Sequence, residues 1–437
     1  MEIQVITLND NSNIHANKKK IGFWKCWSIS VGVMIGSGVF LLPSVLAPFG
    51  SVSFLGWLVT GSAAILISLI LGRLSSRTNR SGGFYVYTQD AFGDLPAFLI
   101  AWGYWLAIVF SITAISTAFV GYLGSIIPQI RSSSLMQAFT ASALIWTFAA
   151  INIRSLNSGA KTQLVTVILK LTPLIVIIFL GFISGSVNNI PEFNPQGKSI
   201  FGAIASTALL TMWAFIGLEA GTVAAADISN PKKTIPKAIL AGTITVTFVY
   251  IFATASVMML VPIEVLKYSE APFLDAASSL GWLGGILITF GVLISTAGSV
   301  NGNILLSGQM PMALALDGLA PKIFSKKNRG GSPSVSIIFS CIVSSILLIF
   351  NYQEGLIKAF VFLISMSTLC TLLPYAISAM AEIKASKKSS NLWISLSLLA
   401  LVYICVAMFG SGLKVILWGL ALILAGLPIY YLNKKYG

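Results

Sequence analysis

The sequence predicts an all-α membrane protein with twelve transmembrane helices. Of its 437 residues, 56% are hydrophobic and only 9% are charged, and the mean hydropathy is +0.89. A water-soluble protein of this length has too little polar surface to cover so many apolar side chains. About 20 apolar residues span the core of a bilayer. The chain contains twelve runs of about that length, and two of them are interrupted by glycine.

The twelve apolar runs follow one another with short connections between them. Their approximate bounds are 24–47, 53–74, 95–123, 134–153, 162–187, 199–226, 238–262, 280–305, 333–351, 357–382, 391–411 and 413–432. Residues 1–20 are polar and predict a cytoplasmic tail, and no cleavable signal peptide is visible before the first run. We expect a transporter core over 21–390, followed over 391–437 by two further helices and a short tail.

The net charge of +14 orients the chain in a membrane. With the N-terminal tail numbered zero, the odd-numbered connections contain only Arg131, Lys198, Lys267, Lys358 and Lys414. Nearly all other Lys and Arg residues lie in the tails and the even-numbered connections. This alternation predicts cytoplasmic termini by the positive-inside rule. The basicity therefore needs no nucleic-acid partner, and we expect lipid and a small solute as partners.

Several other classes of protein are disfavoured by what the sequence lacks. The four cysteines have no metal-ligand spacing, and the single histidine, His15, lies in the polar tail. No G-x-x-x-x-G-K-[ST] motif is present, which argues against an ATP-driven pump. The sequence contains no repeated selectivity-filter motif, so an ion channel is only a remote alternative. We expect no enzyme activity, no metal and no cofactor.

Two ionisable residues lie at membrane depth. Lys170 is in the fifth run and Glu219 in the sixth, whereas the other acids lie near run ends, in tails or in connections. Ionisable groups inside a membrane are costly and usually mark an ion or substrate pathway. The alternative is a static Lys–Glu pair that joins two helices.

The first and sixth runs are both interrupted near their middle, at 35–38 and 216–219. Matching interruptions in two halves predict a transporter built from an inverted 5+5 repeat, here about 24–187 and 199–382. A broken helix exposes N–H groups at one end and C=O groups at the other. These ends suit the carboxylate and the ammonium of an α-amino acid. Close helix packing is the simpler explanation for one glycine pair.

The same stretches carry a resemblance to a known family. The most specific ones are IGSGVFLLP (35–43), SGGFYVYTQDAFG (81–93), WAFIGLEAGTVAAADISNPKKTIP (213–236) and LALDGLAPKIF (314–324). They resemble the amino acid–polyamine–organocation superfamily, and most closely its arginine/agmatine and basic amino acid/polyamine antiporter group. The resemblance implies the leucine-transporter fold, with helices 1 and 6 broken.

The resemblance also implies roles for individual residues. Backbone groups around Ser37 and Gly38 are expected to hold the substrate carboxylate, and carbonyls of Met34, Trp213 and Ile216 its α-ammonium. Ile35 is also expected among the substrate-binding residues. The Trp213 ring is expected to cover the substrate from the outer side. Ile112, Asn303 and Ser367 occupy the positions around the substrate side chain. Tyr104, Glu219 and Tyr375 match the inner gate, with Glu219 linked to proton coupling.

Departures from the arginine antiporter affect the expected substrate. Ile112 replaces an asparagine and Asn303 replaces a tryptophan that contact the guanidinium there, and Val33 replaces another asparagine. These losses remove about 1–3 kcal/mol of guanidinium recognition. Lys170 stands where neutral amino acid carriers of the superfamily have a lysine in place of sodium.

We therefore expect a sodium-independent secondary amino acid transporter of the bacterial inner membrane. It would work by exchange or proton coupling, and the departures favour neutral substrates. The alternative is a basic amino acid/polyamine antiporter. Relatives in the superfamily form dimers, which leaves a homodimer open.

Overall fold

The structure, a computed structural model, describes residues 22–36, 38–77, 83–154, 156–219, 230–351, 355–386 and 390–436. Within these ranges all regular elements are helices and no strand is present. The tail predicted over 1–20 and the candidate residue Ser37 lie outside the described residues.

The helices of the first half include one interrupted pair, α1 and α2. Their bounds are α1 Phe23–Met34, α2 Gly38–Leu46, α3 Ser53–Arg77, α4 Phe84–Phe92, α5 Asp94–Ile126, α6 Pro128–Arg131, α7 Ser134–Arg154 and α8 Leu156–Ser184. The connection after α3 thus contains a short helix, α4, that the apolar runs did not reveal.

The second half begins with another interrupted helix, α9. Its helices are α9 Ile200–Met212, α10 Pro231–Leu260, α11 Ile263–Leu266, α12 Pro272–Ala276, α13 Gly281–Leu316, α14 Ser334–Asn351, α15 Leu356–Ser386, α16 Asn391–Gly410, α17 Leu413–Leu424 and α18 Gly426–Tyr436. A single 3₁₀ turn, Trp213–Phe215, continues α9.

Nine candidate spans in the described part of the chain are long and apolar enough to cross a membrane. Shorter apolar helices at Leu169–Ser184, Ile200–Phe215 and Ser334–Phe350 occupy the fifth, sixth and ninth predicted runs. The all-helical class is confirmed, while the count of twelve spans stays a prediction.

The helices pack as two groups. In one group α10 packs against α1 and α3, and α3 packs against α9; in the other α5, α7, α13 and α14 pack against one another. The long helices α8 and α15 contact both groups. The breaks in the first group therefore face α5 and α13 of the second.

Candidate functional site

The first break leaves a backbone carbonyl without its helical partner. α1 ends at Met34, and the backbone turns at Ile35, where ψ is 83°. Gly36 N consequently donates to Met34 O at 2.8 Å, so it does not donate to Gly32 O, its partner in a regular helix. The helix resumes at Gly38, and the interruption predicted at 35–38 is present.

The second break requires glycine at one position. After the turn Trp213–Phe215 the backbone of Ile216 is extended. Gly217 has φ +105°, a conformation that residues with a Cβ avoid. A Cβ on Gly217 would also lie 2.5 Å from Val33 Cγ1 in α1. The conformation and the close approach of α1 both require glycine here.

A buried tyrosine of α10 bonds to both broken segments. Tyr250 OH donates to Met34 O at 2.6 Å and lies 3.2 Å from Ala214 O. Met34 O thus already accepts from Gly36 N and Tyr250 OH. Both lone pairs of this oxygen are therefore used in this conformation, and the expected contact between Met34 O and the substrate ammonium stays a prediction. Sequence reasoning missed Tyr250, since no local pattern distinguishes it from a core aromatic.

A cavity lies between the two breaks and helices α5 and α13. Its lining consists of Val33, Met34, Gly36, Gly38, Tyr104, Ala107, Ile108, Ser111, Ile115, Trp213, Ala214, Ile216, Gly217, Ser299, Asn303 and Leu306. The structure therefore brings together six of the predicted site residues, namely Met34, Gly38, Tyr104, Trp213, Ile216 and Asn303.

Three predicted substrate-binding residues are not in this lining. Ile35 and Ile112 are buried in the helix packing. Ser367 lies behind the lining, where it contacts Ser111 Oγ at 2.8 Å and donates to Ala107 O at 2.9 Å. Ser111, the neighbour of Ile112 on α5, is in the lining, and sequence reasoning did not name it.

Trp213 covers one wall of the cavity at the second break. Its ring meets Phe360 of α15 edge-on, with centroids 5.3 Å apart. A Cβ on Gly38 would lie 3.0 Å from Trp213 Cζ3, so the absence of a side chain at Gly38 lets the ring lie directly against the backbone. Only 6% of Trp213 is exposed.

Glu219, at the end of the second break, forms hydrogen bonds with residues of two other helices. Its Oε1 accepts from Tyr104 OH of α5 at 2.7 Å, and its Oε2 accepts from Tyr375 OH of α15 at 2.6 Å. Gly217 N donates to Oε2 at 3.1 Å. Because Tyr104 also lines the cavity, the carboxylate is one hydrogen bond away from the binding space.

Lys170 of α8 donates to the carbonyl that loses its helical partner at the first break. Its ammonium donates to Gly32 O and to Ser299 Oγ of α13, both at 3.1 Å. Only 1% of the residue is exposed. A cation at the C-terminal end of a helix is favourably placed. Among the described residues Lys170 forms no ion pair with Glu219, which removes the static Lys–Glu pair.

Comparison with known proteins assigns the family. Residues 21–429 match the sequence profile of the family described as amino acid permease. The chain belongs to this amino acid permease family. It is therefore a multi-pass membrane protein of the amino acid–polyamine–organocation type, as the sequence motifs predicted.

The permease resembles several curated proteins along almost its whole length. One is the putative arginine/ornithine antiporter of Bacillus subtilis, 29% identical over 96% of this chain and 98% of that protein. Another is the putrescine transporter PotE of Haemophilus influenzae, 26% identical over 96% and 99%. A third is the cadaverine/lysine antiporter of Escherichia coli, 27% identical over 91% of each.

These relatives change the balance between the two expected substrate classes. All three are described as carriers of basic amino acids or diamines. They support the alternative, a basic amino acid/polyamine antiporter, better than the neutral substrates that the departures favoured. The loss of the guanidinium contacts at Ile112 and Asn303 therefore needs another explanation than a neutral substrate.

Proposed function

We propose that this permease exchanges basic amino acids, and the amines related to them, across the bacterial inner membrane by alternating access. The observation that carries the proposal is the cavity between two helix breaks, because both breaks offer backbone polar groups to a bound zwitterion. The names of the three relatives support the basic substrate class.

We infer a leucine-transporter fold with twelve spans, an inverted repeat and both termini in the cytoplasm. The packing supports this: α1, α3, α9 and α10 form one group, and α5, α7, α13 and α14 form the other. An inverted repeat predicts that the first two spans of each half lie together, and likewise the next two. Labelling of Lys327→Cys from the inside only and Asn188→Cys from the outside only would agree with this orientation.

The two breaks would hold the two poles of the substrate backbone. The N-terminus of α2 begins at Gly38, whose backbone borders the cavity, and helix N-termini favour carboxylates. Carbonyl groups of the Trp213–Ile216 segment would take the α-ammonium. Trp213 would close the outer side of the cavity, and the Tyr104–Glu219–Tyr375 cluster would close the inner side.

Lys170 would replace a sodium ion. Its ammonium links the broken end of α1 to α13, and it gives the Gly32 carbonyl a hydrogen bond that the broken helix no longer provides. We therefore expect transport without sodium. Lys170→Ala would slow turnover more than it weakens binding. Lys170 connects α1 to α13, which belong to the two helix groups that would move during alternating access, and it would not contact the substrate. Strict sodium dependence of the wild-type protein would contradict this role.

Exchange in proteoliposomes tests the function. Vesicles loaded with ornithine, lysine or putrescine should take up labelled ornithine or lysine many times faster than empty vesicles, with saturation. Preferential exchange of leucine or alanine would restore the neutral-substrate alternative, and non-saturating uptake would indicate a channel. An inward pH gradient in the same vesicles tests proton coupling, and cross-linking tests the homodimer.

A further inference from the structure

None of the described residues that line the cavity is acidic, although the proposed substrates carry a distal positive charge. The polar side chains that face the cavity away from the breaks include Ser111 on α5 and Asn303 on α13. Their hydrogen bonds to the rest of the protein determine which groups they can offer to a ligand.

The hydroxyl proton of Ser111 is used in a hydrogen bond to Ser367. Ser367 Oγ donates its proton to Ala107 O at 2.9 Å, because a carbonyl can only accept. The contact of 2.8 Å between Ser367 Oγ and Ser111 Oγ must then use the proton of Ser111. Ser111 Oγ consequently has lone pairs, and no proton, for a ligand in the cavity.

Asn303 is fixed by a similar contact. Its Nδ2 donates to Ser299 O at 2.9 Å, one turn earlier in α13. This bond sets the orientation of the amide, since a reversed amide would bring two acceptors together. Oδ1 is left as an acceptor, with no partner among the described residues.

We propose that Ser111 and Asn303 form an acceptor site that selects a terminal primary ammonium on an aliphatic chain. This rests on the proposed function and names the substrate end that determines specificity. An ammonium offers three protons and no acceptor, which matches two neutral oxygen acceptors. The apolar side chains of Ile115 and Leu306 provide the path for the aliphatic part.

The same site disfavours two other side-chain ends. A carboxylate offers only acceptors to acceptors. A guanidinium binds best to a bidentate carboxylate or an aromatic face. The described lining contains no carboxylate, and its aromatic residues, Tyr104 and Trp213, belong to the proposed gates and not to the Ser111–Asn303 part of the cavity. Ornithine, lysine and their diamines are therefore the favoured substrates, ahead of arginine and agmatine.

Competition for labelled ornithine exchange tests the selectivity. Unlabelled ornithine or lysine should inhibit wild-type exchange at concentrations at least ~5-fold lower than arginine does. Ser111→Ala should raise the KM for ornithine about 10-fold, the loss expected for one hydrogen bond to a charged group, and should reduce the preference over arginine. Ser116→Ala is the matched control, because Ser116 is buried on the same helix and bonds only to its own helix backbone.

Ser367 acts as a positioning residue, and its variants separate orientation from packing. Ser367→Ala frees the Ser111 proton to turn toward the cavity. Inhibition by ornithine should weaken several-fold while inhibition by glutamine, whose side chain carries a carbonyl, should strengthen. Ser367→Thr keeps the hydroxyl and should retain the wild-type order of inhibitors.

The outcomes distinguish this inference from the function it rests on. If wild-type vesicles exchange no basic substrate, the proposed function is wrong. If they exchange ornithine but Ser111→Ala behaves like Ser116→Ala, the acceptor site is wrong and the function stands. Equal loss for ornithine and glutamine in Ser367→Ala would likewise refute the orienting role.

Discussion

Two fully buried carboxylates of this permease have opposite kinds of partners. Glu382 of α15 faces Arg73 Nε at 3.0 Å and Arg77 Nη2 at 2.9 Å, both from α3. Glu219 instead accepts from the two phenols of Tyr104 and Tyr375. The two guanidiniums form ion pairs with the Glu382 carboxylate, whereas the two phenols donate neutral O–H groups to Glu219. Glu382 thus joins helices through ion pairs, and Glu219 joins helices through hydrogen bonds to phenols, which is the arrangement behind its proposed gating role.

The Glu382 cluster is also concentrated on a single oxygen. Both arginines and Ser386 Oγ bond to Oε1, and the buried Oε2 has no hydrogen-bond partner among the residues that the structure describes. Arg73 in addition lies 4.3 Å from the centroid of the Trp393 ring of α16. The cluster thus joins three helices at the end of the molecule that we propose to be cytoplasmic.

The largest effect should follow the loss of the Glu382 charge. Glu382→Gln leaves two guanidiniums facing each other without a counter-charge, so unfolding should become easier by about 3 kcal/mol. Denaturant or thermal unfolding in detergent measures this. Asp94→Asn, an exposed acid that accepts from Gln89, is the control and should change stability little. A Glu382→Gln protein as stable as the wild type would remove the distinction between the two acids.

Glu219→Gln should act on transport more than on stability. A glutamine is neutral, so one phenol keeps only a neutral bond to the amide oxygen and the other phenol faces the NH₂ group, which cannot accept its proton. We expect a folded protein that binds substrate but has lost the pH dependence of exchange. Tyr104→Phe and Tyr375→Phe each remove one of the same bonds and are the companion variants. A wild-type pH profile in Glu219→Gln would rule out the gating role.

Much of this arrangement could be predicted from the sequence. The apolar runs located the long helices, and the two glycine interruptions located both breaks. Lys170 and Glu219 stood out because each is a charge within an apolar run. Glu382 did not stand out, since it lies at the end of a run where an acid is ordinarily solvated.

The side chains that point into the cavity could not be predicted in the same way. α5 is apolar and buried on all sides, so no periodic pattern reveals which of its residues meet the cavity. The family resemblance pointed to Ile112, whereas the α5 residues in the lining are Tyr104, Ala107, Ile108, Ser111 and Ile115. The partners of Met34 O were also hidden, because Tyr250 is 216 residues away along the chain.

Tyr250→Phe tests a phenol that donates to backbone carbonyls, in contrast to the phenols of Tyr104 and Tyr375, which donate to a carboxylate. The change removes the donor to Met34 O and Ala214 O, and a neutral hydrogen bond contributes about 1 kcal/mol. Stability should fall by about that amount, and the ring packing against Trp57 should persist. Exchange assays should show a higher KM, because both breaks lose a common support. Unchanged KM would mean that the breaks hold their shape without Tyr250.

A third carboxylate, Glu270, gives the smallest effect because it lies near the surface. It pairs with Arg131, whose side chain is 54% exposed, at 3.0 Å, and such pairs contribute less than about 1 kcal/mol. Burial raises the pKa of the Glu270 carboxyl, and Arg131 partly opposes this. The folded protein therefore binds this proton more tightly than the unfolded chain, so stability falls as pH rises from the ordinary pKa through the raised one.

Glu270→Gln should flatten that part of the stability profile and leave the plateau values within about 1 kcal/mol of the wild type. Unfolding in detergent between mildly acidic and neutral pH measures the slope. Glu264→Gln is the matched control, because Glu264 is 76% exposed and pairs with Lys267. If Glu270→Gln destabilised the protein as much as Glu382→Gln, neither the burial of these carboxylates nor the number of cations around them would explain their contributions to stability.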